Sequence, residues 1–465
     1  MKNKFTFIIL LCLIFTISCK EKKEEKENKD LPLTASSSFK KWTKTPPMGW
    51  NSWDCYGPTV KEAEVKSNAD YMSKNLKLYG WEYVVVDIRW FVENTKASGY
   101  NQTDPIYVLD DYGRYMPAEN KFPSAENGSG FKDLADYIHN KGLKFGIHIM
   151  RGIPVKAVQD KLPIKGTDGI TGDQIYSTEN QCKWLKDNYT VDASKPGAQE
   201  YYNSILDLYA SWGVDFIKVD DLSAPIYHKE EIELIRHAID QTEREIVLST
   251  SPGETPIADA EHVSNNANMW RMVNDVWDEW KDMTHLMRTS QDWYPYIGSG
   301  TWPDCDMIPL GRISIRGERG EDRMTRLSKE EQYSLMTFFT MLKSPLFFGG
   351  DLPSNDAFTL SLLTNEEVLK MHNESENVQQ LFQTTEQLAI TSKNKNTGAV
   401  YLALFNIGDD GNQTVSVPLS DLGLQKRGVK ATNLWNGETT EIEGDTIEVN
   451  LAAHSSELLM FAIKD

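Results

Sequence analysis

From about residue 43 the chain alternates short apolar runs of strand type with amphipathic runs of helical period, and eight such strand-like runs occur before residue 370. Parallel strands need a crossover connection, usually a helix, so this alternation predicts βα units and a parallel sheet. The strand-like runs lie at 48–52, 82–88, 144–149, 215–220, 245–251, 269–275, 304–308 and 346–350. Helical spacing predicts helices over 61–78, 131–141, 198–212, 229–242 and 329–342. In the last of these, Tyr333, Leu335, Met336, Phe339 and Leu342 read as core. Eight strands interleaved with helices predict an α/β fold, a (β/α)8 TIM barrel over 43–370, with a doubly wound sheet as the alternative. Two intervals, 91–130 and 151–195, are longer than ordinary βα loops. Both leave strand C-terminal ends, so in a barrel they would wall the active-site mouth.

After about residue 377 the pattern changes to short strands at 378–381, 388–392, 399–406, 413–417, 429–433, 440–442, 446–451 and 456–462, separated by Gly, Asn and Asp turns. This predicts a C-terminal antiparallel β-sandwich over 377–465. No aromatic cluster marks it as a binding module, and it reads as a structural appendage.

The N-terminus carries a different signal. Lys2 and Lys4 precede an apolar stretch over 5–17, too short to span a bilayer and the right length for a signal peptide's apolar region. It ends at Thr16, Ile17, Ser18 and Cys19, which resembles a bacterial lipobox with Cys19 as the lipidated first residue of the mature chain. The expected signal segment is thus 1–19, followed by a charged tether over 20–42. A charged stretch directly after such a cysteine resembles the surface-export signals of Bacteroidetes lipoproteins, which implies the outer membrane and contact with lipid only through the anchor.

Lysine and arginine number 49 against 68 acids, and the net charge of −19 argues against nucleic acid or an anionic membrane surface as partner. The cysteines beyond the signal, Cys55, Cys182 and Cys305, match no zinc spacing, and three can form at most one disulfide within the chain. Asp304 and Asp306 lack the glycine and terminal glutamate of a calcium loop. Neither metal nor cofactor is expected.

Two carboxylates stand where a parallel barrel places its chemistry. The fourth strand-like run ends on Lys218, Val219, Asp220 and Asp221, and the sixth ends on Asp275. Alternate strands can aim both acids into one pocket, and a facing pair of carboxyls is the minimum equipment for glycoside hydrolysis. Acids at strand ends also occur in barrels that bind metal, and Asp220 or Asp221 could equally cap the next helix.

Ordered motifs narrow the choice. The run TPPMGWNSW at 45–53 is followed by GWEYVVVD at 80–87, Arg114 with FPS at 122–124, GLKFG at 142–146, Lys218 to Asp220, Trp270 to Asp275, WPDCDM at 302–307 and KSPLFFGGD at 343–351. Together they resemble glycoside hydrolase family 27, the α-galactosidase or melibiase family, across the whole expected barrel. A C-terminal β-sandwich is that family's second domain. The resemblance implies Asp220 as nucleophile and Asp275 as acid/base. Lys218 shares a strand face with Asp220 and can hold it ionised, whereas Asp221 points to the other side. Arg271 is placed to bond the sugar's 2-hydroxyl or the nucleophile. Retention of configuration follows, with the two carboxyls expected about 5–5.5 Å apart.

By the same resemblance Trp53 stacks on the sugar's apolar face, while Asp87 and Asp306 bind hydroxyls. Three departures affect recognition. Ile88 stands where the family has a second aspartate, His148 replaces a tyrosine, and 249–254 replaces a Cys-Glu-Trp segment that helps read position 2. His148 is placed in the site. Terminal α-D-galactose leads as substrate. β-L-Arabinopyranosides, which lack galactose's hydroxymethyl group, and release of isomaltose from dextran are the alternatives within the family. A surface glycan-binding lipoprotein without catalysis is the alternative of another class.

Overall fold

The computed structural model describes residues 37–425 and 428–462. The expected signal segment, Cys19 and the charged stretch through residue 36 lie outside these residues. The end of the expected tether is folded: Ser37–Lys41 forms a 3-10 turn with Phe39 fully buried. The Arg236 guanidinium lies 4.9 Å from the Phe39 ring, so an aromatic contact ends the tether before residue 42.

Eight parallel strands make the barrel: β1 (Met48–Asn51), β2 (Tyr83–Val86), β3 (Lys144–Met150), β4 (Phe216–Asp220), β5 (Val247–Thr250), β6 (Met269–Arg271), β7 in two pieces (Trp302–Asp304 and Met307–Ile308) and β8 (Leu346–Phe348). Each pairs with the next in order, and β8 returns to β1 through Met48 opposite Leu346. The first piece of β7 pairs with β6 and the second with β8. Pairing therefore passes from one neighbour to the other across Cys305 and Asp306, which joins the two ends of the sheet. The main helix after each strand covers it outside: α1 (Glu62–Asn75), α2 (Lys132–His139), α3 (Ala198–Ser211), α4 (Lys229–Gln241), α5 (Ala260–Asn266), α6 (Trp280–Thr289), α7 (Lys329–Met341), then α8 (Ala357–Leu363) and α9 (Glu366–Glu374).

Side chains alternate along each strand, and the even-numbered strands send Tyr83, Phe216, Met269 and Phe347 into the barrel as one apolar layer. The Phe216 ring lies 5.6 Å from Tyr83 and 5.0 Å from Phe347. Four side chains from alternate strands is the usual way such a barrel is filled. Gly49 makes room for them: a Cβ there would lie 2.7 Å from Tyr83 Cβ and 3.0 Å from Phe347 Cε1. Two residues further up β4 the inward position is Lys218 and two further again Asp220, so the interior turns from apolar to ionic toward the mouth.

The sixth strand differs from expectation. It stops at Arg271, four residues short of Asp275. Arg271 Nη2 donates to the Val273 carbonyl at 3.1 Å, which bends the chain out of the sheet after Arg271. The two long loops take the expected place at the C-terminal ends of β2 and β3. A buried ion pair, Arg89 with Asp187 at 3.0 Å, ties one loop to the other.

Beyond α9 the chain forms β9 (Ser375–Gln383), β10 (Gln387–Asn394), β11 (Val400–Asn406), β12 (Gln413–Pro418), β13 (Val429–Asn433), β14 (Thr439–Ile442), β15 (Thr446–Leu451) and β16 (Ser456–Phe461). Six of them make an antiparallel sheet in the order β9, β10, β11, β16, β13, β14, and β12 pairs with β15. Leu402, Leu404, Val415, Val417, Ile447 and Phe461 fill the space between the two layers.

Candidate active site

The polar residues above the aromatic layer line a cavity of about 680 Å³ at the C-terminal mouth of the barrel. Trp53, Asp87, His148, Lys218, Asp220, Arg271 and Asp275 all line it. Asp306 packs against the edge of this group, with Arg271 Nη1 2.6 Å from its Oδ1. The strand-end positions of the sequence therefore converge, although they come from segments more than two hundred residues apart.

Asp220 is the last residue of β4. Its Oδ1 accepts from Ser251 Oγ at 2.9 Å and from the Asp221 amide at 3.1 Å, while Oδ2 is 3.6 Å from His148 Nε2. Asp221 turns away from the cavity and pairs with Arg151 at 2.8 Å. Burial there pushes the Asp221 carboxyl up to about 7 in spite of Arg151. Lys218 is inside the barrel; burial works against its charge, but the facing Asp87 and Asp306 carboxyls hold its pKa above the ordinary lysine value.

Asp275 sits in the loop after β6, held between two guanidiniums: Arg271 Nη2 at 3.5 Å and Arg319 Nη2 at 3.1 Å. The same loop is anchored by the Val276 amide donating to Asp306 Oδ2 at 2.8 Å. Its side chain keeps 43% of its surface exposed, against 12% for Asp220, so the more open acid is the one placed to exchange protons with solvent. Asp306, fully enclosed, is driven up to about 6 by burial, opposed by Arg271 and Lys218.

Asp87 and His148 form a pair across β2 and β3. His148 Nδ1 lies 2.6 Å from Asp87 Oδ1, and the Ile88 amide donates to that same oxygen. Burial alone would raise Asp87, but His148, with Lys218 behind it, brings it down to about 2. Asp87 Oδ2 is buried with no hydrogen-bond partner, an acceptor left over for a ligand hydroxyl. Next to it Ile88, 1% exposed, supplies an apolar patch of cavity wall.

Several lining residues had no signal in the sequence. Tyr100 comes from the long loop after β2 and Trp184 from the one after β3. Tyr100 stacks on Trp53 with ring centres 5.8 Å apart and lies equally far from Trp184. The two loops thus do wall the mouth, but loop residues obey no periodicity, so which side chains face inward was not readable. Glu318 and Arg319 arrive from the loop before α7 in the same way. Asp54, beside Trp53, is a further buried carboxyl, raised well above the ordinary range by burial and by Asp306. Cys55, Cys182 and Cys305 are buried free thiols. Among the described residues no group of three or more His, Cys, Asp or Glu side chains is arranged to hold a metal ion.

Comparison with known proteins places this site in a family. The family described as alpha galactosidase A matches residues 186–374, and its C-terminal beta sandwich domain matches 385–461. The solved structure of a GH27 β-L-arabinopyranosidase from Geobacillus stearothermophilus is 49% identical, with a TM-score of 0.89, covering 92% of this chain and 99% of that one. The alpha-galactosidase of Cyamopsis tetragonoloba is 27% identical over 420 residues, covering 89% of this chain and 85% of the relative. The alpha-N-acetylgalactosaminidase of Rattus norvegicus is 25% identical, covering 85% of each chain. With near-complete coverage at that level of identity, and with both halves of the chain matched to the same family, the protein belongs to glycoside hydrolase family 27 and is a glycoside hydrolase.

Proposed function

We propose that this glycosidase releases terminal β-L-arabinopyranose with retention of configuration. Asp220 Oδ1 is engaged by Ser251 and its own backbone neighbour, which leaves Oδ2 to attack the anomeric carbon. As the glycosidic bond breaks, Asp275 gives its proton to the departing oxygen. Water then attacks the glycosyl ester, returning its proton to Asp275 and freeing the Asp220 carboxylate. Lys218 offsets the negative charge near Asp220, and Arg271 is within reach of both Asp275 and the sugar side of the pocket.

Ile88 carries the choice of sugar. A hexose with galactose's hydroxyl pattern would press its hydroxymethyl group against this buried isoleucine, next to Asp87. A hydroxyl stripped of water without a partner costs about 1–3 kcal/mol. A pentopyranose has no such group, and its ring methylene suits an apolar wall. The similarity to the Geobacillus stearothermophilus arabinopyranosidase supports the same choice. The second reading, terminal α-D-galactose, is favoured by the names of the curated plant relatives. The two separate in one assay. On p-nitrophenyl β-L-arabinopyranoside and p-nitrophenyl α-D-galactopyranoside, kcat/KM is expected to favour the arabinoside by about tenfold to a hundredfold. Equal values or a galactoside preference support the second reading.

We further propose, from residues 1–19 of the sequence, export as a lipoprotein carried on Cys19. Labelled palmitate should enter the wild-type chain and not Cys19→Ala.

A further inference from the structure

Resting on the retaining reading above, we propose that His148 is the positioning residue for the nucleophile, acting as an imidazolium that bridges Asp87 and Asp220. The geometry is a chain across three neighbouring strands: Asp87 Oδ1, 2.6 Å to His148 Nδ1, then His148 Nε2, 3.6 Å to Asp220 Oδ2. His148 is 3% exposed, and its Nε2 is buried with no hydrogen-bond partner.

The protons follow from the partners. The 2.6 Å contact places one proton between Asp87 Oδ1 and His148 Nδ1, and with Asp87 as the carboxylate Nδ1 is the donor. If Nε2 were bare, its lone pair would face a carboxylate oxygen inside the barrel, and both would lack a donor. A proton on Nε2 removes that conflict and aims a charge-assisted donor at Asp220.

Charge balance agrees. The charged groups beside the imidazole are Asp87 beyond β2 and Lys218 and Asp220 on β4, and Tyr100 lines the same cavity. Arg271 and Asp275 line the same cavity, and Asp306 pairs with Arg271. Lys218 opposes a second cation, but the two carboxylates bracket the ring, and Asp87, Asp220, Lys218 and an imidazolium sum to zero. With a neutral ring these four groups carry a net charge of −1.

The consequence is a dependence of the first chemical step on His148. Loss of the imidazole removes the group beside Asp220 Oδ2 and lets the carboxylate rotate away from the line of attack.

Asp275 must also be protonated for that step, and the two are separable. A 2,4-dinitrophenyl β-L-arabinopyranoside needs no proton on its leaving group, so Asp275 drops out of the first step. With this substrate, His148→Ala is expected to lower kcat about tenfold or more with little change in KM, and His148→Gln, which keeps a donor on the side chain, to recover part of that loss. An unchanged kcat in His148→Ala, or a loss carried by KM alone, overturns the proposal. A neutron structure of the wild-type protein gives a check that needs no variant: deuterons on both ring nitrogens support it, and a deuteron on Nδ1 alone refutes it. Failure of the retaining reading would look different, as an Asp220→Gly enzyme that forms no glycosyl azide when supplied with azide.

Discussion

Ile88 sets the sharpest test for a single side chain. Replacing it with aspartate puts an acceptor where a hexose presents its hydroxymethyl group, at the cost of a second buried charge beside Asp87. Ile88→Asp is expected to shift the ratio of kcat/KM on arabinoside to that on galactoside toward galactoside by about tenfold or more, mostly through a loss on arabinoside. Steady-state kinetics on the two p-nitrophenyl glycosides measures it; an unchanged ratio would mean that the sugar's fifth carbon lies elsewhere. Asp220→Asn keeps the contacts of Oδ1 with Ser251 and the Asp221 amide but removes the attacking oxygen's charge. It is expected to lower kcat by about 10⁴-fold or more with little change in KM, read on the same substrates. At this scale much of the site was legible, because β4 writes Lys218 and Asp220 in alternation and ends there. The linkage of Asp87 to His148 was not, since two residues 61 positions apart meet only when β2 and β3 pair.

At the level of elements, the loop that brings Arg319 to Asp275 depends on Asp278. Arg323 and Arg326 reach Asp278 from that loop at 2.6 and 3.0 Å, and the Arg326 amide donates to it as well. Burial alone would raise Asp278, but these bonds bring its carboxyl down to about 2. A depressed carboxylate adds stability that is fully present above its unfolded value near 4 and is lost as the pH falls through about 2. Allowing for screening by solvent, the contribution is about 1–2 kcal/mol. Asp278→Asn is therefore expected to lower the midpoint of chemical denaturation at pH 7, with the gap to wild type closing toward pH 2. A gap independent of pH would show that the clamp works by packing and not by charge. The sequence places Asp275 at the end of the sixth strand, because apolar Met272 and Val273 continue the strand pattern after Arg271. What ends the strand is the Arg271 side chain bonding its own loop, a contact no periodicity encodes. The barrel strands and main helices, by contrast, follow the alternation of apolar runs closely, since burial on both faces of a parallel strand leaves a continuous apolar signature.

For the molecule as a whole, α7 joins the two halves. From Ser334 through Met341 every residue of the helix is buried, which is how a helix reads when it is covered on all sides. Toward the sandwich, Phe338 meets Phe405 with ring centres 6.1 Å apart, Trp435 Nε1 donates to Thr337 at 2.9 Å, and Ser334 donates to the His454 carbonyl at 2.7 Å. The sandwich is thus the cover of a barrel helix. Phe405→Ala is expected to cost about 3–5 kcal/mol and to shift a single calorimetric transition, barrel and sandwich together; two separated transitions would show that the halves fold independently. The central claim for the whole molecule is that the barrel gathers a nucleophile from β4 and a proton donor from the loop after β6 around one pentopyranose. Its most direct test is covalent trapping. Incubation with a 2-deoxy-2,2-difluoro arabinopyranoside bearing an activated leaving group, followed by peptide mass spectrometry, is predicted to give one adduct per chain, on Asp220. Complete turnover with no adduct, or an adduct on Asp221 or Asp275, would contradict the account.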